Sequence, residues 1–372
     1  MLLSRIDFRI FPILFCLMWI SLAVLSSMTA EVKDFEPISF WTPLVKTQLR
    51  WFCLGWGLFF ASAWFDYRRL REWSPFLYIA ILLLLIGLFF VEPIQNVHRW
   101  YRIPFLASIQ PSEQAKLVLV IALAWFLEWK GSNVSSFSSG LQMGILVLLP
   151  FFLILKEPDL GTALVLVPIA GSMAFFAGIH RGLLRLGVSF AVILVTIVAL
   201  FFLGFLSHEE MRPFCTRFLK EYQYERLNPN TYHQKAAQIA IALGGMTGTG
   251  WRESEFSGKK WLPYAHTDSV FAAFGEEFGF IGLTFLLFLF YSLIYLSFQV
   301  AQVAKDPFGR YLAVGLAAYL AMHVVVNCAM MCALLPITGV PLIIVTYGGS
   351  SVLTTMTALG LLQSIYSRRF MF

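Results

Sequence analysis

Charge is scarce in this chain: Asp, Glu, Lys and Arg make up 13% of its 372 residues, against 59% hydrophobic ones. A soluble globular domain carries about a quarter charged residues, so that class is excluded. Cysteine is sparse as well, with five at positions 16, 53, 215, 328 and 332. They form no CxxC pair and have no histidine at zinc-ligand distance, which argues against both a disulfide framework and a zinc site. Cys328 and Cys332 share a helix face, where packing inside a bundle accounts for them. The histidines (98, 180, 208, 233, 266 and 323) are scattered, without HExxH spacing. A GxSxG hydrolase motif is missing, and so is an internal repeat of the inverted-repeat transporter kind. "GGMTGTGW" is glycine-rich but lacks the GK[ST] ending and the preceding strand of a phosphate loop, so it reads as a turn.

What the chain has in abundance is long apolar runs. Mean hydropathy is +0.75, and stretches long enough to cross about 30 Å of hydrocarbon recur along its whole length. The expected spans are 10–30, 48–65, 74–92, 112–129, 141–156, 159–179, 183–206, 268–302, 310–334 and 340–366. The first run reads as a retained span rather than a secretory signal, because nine more follow it. The fold class is therefore all-α and polytopic: about ten transmembrane helices forming one membrane domain over 1–372. No separate soluble domain is left over.

The net charge of +6 does not call for nucleic acid, because much of it lies in short loops. Arg5, Arg9, Arg68, Arg69, Arg71, Lys130, Arg181, Arg185, Lys305, Arg310, Arg368 and Arg369 fall on one side with both termini, which marks that side as cytoplasmic. Trp41, Trp51, Trp64, Trp73, Trp100 and Trp129 sit near span boundaries as interfacial anchors. One connection, 207–267 between spans seven and eight, is far longer than a link requires and falls on the outer face. Within it, Arg212 to Leu227 places Phe214, Phe218, Leu219 and Tyr222 at helical spacing among basic residues, as in a helix lying on the outer leaflet.

Three polar clusters border the outer ends of spans. "LPYAHTDSVFAAFGEE" (Leu262 to Glu277) sets His266, Thr267, Asp268, Glu276 and Glu277 against an apolar run. Thr267 can cap the eighth span with Asp268 in its first turn. Alternatively Asp268 tops a stripe of small residues, Ala272, Gly275, Gly279 and Gly282, as the working part of a site. "RWYRIPFLASIQPSEQAK" leads into the fourth span, where Glu113 and Lys116 form either a local ion pair or a charged pair facing a cavity. "KEPDLGTA" breaks the chain between spans five and six, with Asp159 a candidate cap of span six. Together the clusters offer carboxylates beside cations suited to a phosphate-bearing ligand.

"RW" at 99–100 with "QPSEQAK", then "EPDLGTA", "GGMTGTGW", "LPYAHTD" with "GEEFG", and "LPITGVP…TYGGSS" occur in the order found in one family. The sequence resembles the SEDS proteins, the RodA/FtsW/SpoVE group of polytopic peptidoglycan glycosyltransferases, over essentially its whole length. The tryptophan of "GTGW" and the "GVP" after "LPIT" are more like RodA. It departs from the family pattern at Tyr264, where Glu is usual, at Ser269, at "PLII", and at Val97-His98 before "RW".

The resemblance implies a polymerase that joins lipid II units into β-1,4-linked glycan strands at the outer face and releases undecaprenyl pyrophosphate. It casts Asp268 as general base. Arg99, Arg102 and Lys116 would hold the pyrophosphate, with Glu113 and Asp159 ordering the cavity and Trp100, His266 and Thr267 lining the substrate site. A divalent cation, magnesium or manganese, would suit Asp268 and pyrophosphate oxygens, although no motif demands one. The implied partner is a class B penicillin-binding protein, a transpeptidase, within an elongation or division complex. Gly315, Ala318 and Ala321 of span nine offer small residues either for docking its transmembrane helix or for internal packing. Rival readings are a lipid II flippase and a non-catalytic scaffold for the transpeptidase.

Overall fold

The computed structural model of the chain describes residues 5–29, 39–92, 98–101, 109–217 and 221–370. Helices dominate. In chain order the long ones are α1 (Ile10–Thr29), α2 (Pro43–Trp64), α3 (Arg69–Gly87), α4 (Pro111–Lys130), α5 (Phe137–Lys156), α6 (Leu160–Ala177) and α7 (Arg181–Phe202). Four short ones follow, α8 (His208–Cys215), α9 (Glu221–Glu225), α10 (Tyr232–Gly244) and α11 (Glu255–Gly258), then three long ones, α12 (Val270–Val303), α13 (Pro307–Met331) and α14 (Gly349–Ser367). Among the described residues, eight helices are long and apolar enough to cross a membrane; α2 and α14 are the long helices outside that set. Helix is the element such runs must adopt, since it satisfies every backbone group without water. The ends are set locally. Thr42 caps α2 ahead of Pro43, Ser136 caps α5, Asp306 caps α13 ahead of Pro307, and Gly178 closes α6 in the left-handed conformation.

Helix α13 is the centre of the bundle, packed against α4, α6 and α12. A Cβ on Gly315 would lie 2.5 Å from Val120 Cγ1 and 2.7 Å from Met173 Sδ, and Ala318 is buried. Gly315 and Ala318 thus serve close packing inside the bundle, the second of the two alternatives open for them, while Ala321 is half-buried. Helices α2 and α14 pack on each other through small residues, with Gly55 against Met356 and Gly360 against the Phe59 carbonyl. Helix α7 touches α6 and otherwise presents apolar side chains such as Leu186 and Phe190 outward, as a lipid-facing helix does.

Two expected spans are not continuous helices. In α12, Gly279 has φ 63° and ψ −165°, and the chain kinks there. The "GGMTGTGW" turn fills the gap: Phe280 and Ile281 N–H donate to the Gly245 and Met246 carbonyls, while Thr249 and Gly250 N–H donate to those of Glu276 and Glu277. The kink breaks the expected stripe from Asp268 to Gly282. The last span, expected from 340, starts only at Gly349. Residues 337–348 run as non-helical chain in which Gly339 (φ 83°) and Ile344 (φ 67°) are left-handed and Pro341 lacks an N–H. Side chains meet its buried backbone: Ser21 Oγ donates to Val345 O at 2.8 Å and Gln48 Nε2 to Thr346 O at 3.3 Å.

The expected single helix over Arg212 to Leu227 is likewise two pieces, α8 and α9. They fold back on the end of α7, where the fully buried Tyr224 stacks on His208 at 4.3 Å between ring centres.

Candidate functional site

The polar clusters meet around a cavity of about 980 Å³ at one end of the bundle. The opposite end is where Arg368 donates to the Ala63 and Trp64 carbonyls and Tyr67 bonds Asp306. Arg99, Trp100, Glu113, Asp159, His266, Thr267 and Asp268 all line the cavity. Arg102 lies outside the described residues.

Asp159 is the cap of α6 and more. Its Oδ1 accepts from Thr162 N at 3.3 Å, and its Oδ2 accepts from Gln110 Nε2 at 2.9 Å and Ser112 Oγ at 3.1 Å, tying α6 to the start of α4. Beside it Arg99 donates to the Glu157 carbonyl at 3.0 Å and to the Pro158 carbonyl, which fixes the guanidinium at the break between α5 and α6. The Glu157 carboxyl is pushed up to about 8 by burial, then by the Asp159 charge, against the pull of Arg99. Neither of its oxygens has a hydrogen-bond partner among the described residues.

Glu113 and Lys116 are both buried, and Lys116 Nζ donates to Glu113 Oε1 at 2.7 Å. A third group completes the cluster: His323 Nε2 stands 2.8 Å from Lys116 Nζ. The other ring nitrogen is 3.1 Å from the Pro341 carbonyl, an obligate acceptor, so Nδ1 carries the proton and Nε2 accepts from the ammonium. Lys116 itself is not on the cavity wall; Glu113 stands between.

Asp268 precedes α12 and is not its cap. The cap position is Ser269, without a side-chain capping bond, and the Thr267 hydroxyl turns to the Tyr264 carbonyl at 3.3 Å. The capping reading is therefore corrected for both residues. Ser269 Oγ instead pairs with His233 Nε2 at 2.7 Å, and burial holds both His233 and His266 below the ordinary imidazole range. Among the described residues no donor hydrogen-bonds the Asp268 carboxylate. Burial first, and the charge of Asp159 second, push it up to about 6, opposed by Arg226 and Arg99. The carboxylate is ionised at neutral pH yet near enough to accept a proton, the range a general base requires.

Arg226, from the long loop, is the cation that sequence reading missed; it lines the cavity and donates to Thr338 O at 3.2 Å. Its signal was hidden in a stretch read as a surface helix. Glu276 and Glu277 prove to be braces behind the site. Glu276 accepts from Phe256 N at 2.8 Å and Ser257 N at 2.9 Å, and Glu277 accepts from Arg252 N at 3.1 Å and from the Ser27 hydroxyl. Among the described residues no three His, Cys, Asp or Glu side chains are placed to hold a metal ion.

A helical membrane bundle with carboxylates and guanidinium groups around one terminal cavity defines a polytopic membrane protein with a charged, polar site at one end. The family follows from comparison with known proteins. Residues 8–369 match the FtsW/RodA/SpoVE cell cycle protein family, and the chain belongs to it. It is 34% identical over 306 residues to the peptidoglycan glycosyltransferase MrdB of Escherichia coli K12, covering 82% of this chain and 80% of the relative. It is 32% identical over 352 residues to the probable peptidoglycan glycosyltransferase FtsW of Geobacter sulfurreducens, covering 92% and 89%. A chain of a peptidoglycan synthase complex, studied for structural coordination of polymerization and crosslinking, superposes with TM-score 0.76 at 26% identity over 99% of both chains. The crystal structure of the Thermus thermophilus rod shape determining protein RodA superposes with TM-score 0.70 at 26% identity over 98% of both.

Proposed function

We propose that this chain is a peptidoglycan glycosyltransferase that polymerises lipid II into β-1,4-linked glycan at the outer face of the cytoplasmic membrane. The observation that carries the reading is the pairing, across one cavity, of a carboxylate near the pKa of a general base with two guanidinium groups. Asp268 takes the proton of the acceptor sugar hydroxyl as that oxygen attacks the anomeric carbon of the donor. The bond to the lipid pyrophosphate breaks as the glycosidic bond forms. Arg99 and Arg226, whose planes are fixed by carbonyls, offset the charge growing on the leaving group. Asp159 orders this wall, and Lys116 holds Glu113 at its edge. Trp100, His266 and Thr267 line the substrate space. One displacement assisted by a base inverts the anomeric centre, which turns an α-linked donor into a β-linked strand.

The cluster of basic loops at the end opposite the cavity supports cytoplasmic termini and an inner-membrane address. A class B penicillin-binding protein is the fitting partner, because glycan strands need a transpeptidase and this family's structural relative comes from a complex of polymerization with crosslinking. The test is the purified chain given labelled lipid II. Polymer supports the reading; leaflet exchange without polymer makes it a flippase, and neither makes it a scaffold.

A further inference from the structure

One face of α13 runs beneath the cavity and carries polar groups a turn apart. Asn327 is fully buried, and its side-chain amide nitrogen lies 3.0 Å from the carbonyl of Asp268 and 2.8 Å from that of Val340. Two carbonyls can only accept, so the NH₂ group faces them and the amide orientation is fixed. Its Oδ1 has no hydrogen-bond partner among the described residues. The amide thus spends both N–H groups on joining the peptide of Asp268 to the non-helical segment 337–348. That segment is held again four residues earlier on the same helix, where His323 meets Pro341 O at 3.1 Å. Gly339, immediately before these two anchor points, lets the carboxylate approach: a Cβ there would stand 3.3 Å from Asp268 Oδ2, at a φ of 83° that disfavours any side chain.

We propose that Asn327 is a positioning residue for Asp268, clamping the Asp268 peptide to the 337–348 segment so that the carboxylate is aimed past Gly339 into the cavity. The proposal rests on the polymerase reading of that cavity. With the clamp gone the carboxylate drifts while the substrate-binding wall, built from α4 and α6, stays. A misplacement of about 1 Å at a reacting group costs about 10²-fold in rate.

The test uses the full chain in detergent with labelled lipid II, normalised to folded protein. Asn327→Asp keeps the shape but turns an oxygen towards two carbonyls, and Asn327→Leu keeps the bulk without donors. Both should lower kcat by about 10²-fold with KM within about threefold of the parent. A second readout needs no turnover: the rate of carbodiimide modification of Asp268 should change severalfold in both Asn327 variants. Unchanged kcat and unchanged modification rate, or a loss confined to KM, overturn the proposal. If the parent itself makes no polymer, the polymerase reading fails while the modification rates still decide the clamp.

Discussion

At the scale of single residues, the proposed chemistry rests on how burial and neighbouring charge tune Asp268. A base works only when ionised, so kcat/KM should fall as pH drops through about 6. The sign for stability is opposite. The folded-state value lies above the ordinary 3.8, so the charged form is disfavoured by folding and the parent loses stability as pH rises from 3.8 to about 6. Asp268→Asn escapes that loss and caps nothing, so its stability advantage over the parent should grow through this window and level off above it. Thermal unfolding across the same pH range checks this. Lys116 and Glu113 make a contrasting pair, because each buried charge compensates the other. Lys116→Met should cost about 3–5 kcal/mol by stranding Glu113, and adding Glu113→Gln should restore much of it. Denaturation of the single and double variants gives the coupling; additive losses would make the pair incidental.

At the scale of elements, the joint in α12 is the decisive departure from regular helix. Gly279 and Gly248 meet where a Cβ on either would strike the other segment's backbone, with Gly279 facing Met246 C at 2.7 Å and Gly248 facing Glu277 C at 2.5 Å. Gly248→Ala should therefore destabilise the chain by about 1–3 kcal/mol and lower the rate with it, because the joint sits behind the segment bearing Asp268. Melting temperature and turnover measured on one preparation test the link. This joint also marks where sequence reading stopped. Apolar length fixes where helices run: the first seven expected spans, 10–30 through 183–206, fall on helices α1 to α7, with ends up to five residues away and with α2 outside the set apolar enough to cross a membrane. The break at Gly279 and the non-helical 337–348 segment were not legible, because both depend on distant partners. Turn backbone fills the first, and Ser21, Gln48, His323 and Asn327 side chains satisfy the second. Glu113 and Asp268 were legible as charges set against apolar runs and Asp159 as a candidate cap, whereas Arg99 was singled out only through the family resemblance. Arg226 and Asn327 were not, since each looks ordinary in its own segment and gains a role only when the long loop and α13 reach the cavity.

At the scale of the whole molecule, α13 is the axle of the bundle, and Gly315 faces its inside. Gly315→Leu should therefore disrupt folding itself, through Val120 and Met173, and be visible as loss of monodisperse protein even without a transpeptidase. A folded Gly315→Leu chain that merely fails to bind its partner would contradict this. The central claim, that this bundle polymerises lipid II with Asp268 as its base, is tested most directly by glycan formation from labelled lipid II by purified Asp268→Asn beside the parent. The expected result is polymer from the parent and a rate lower by about 10²–10⁴-fold from a folded Asp268→Asn chain. Near-parental polymer from that variant would contradict it.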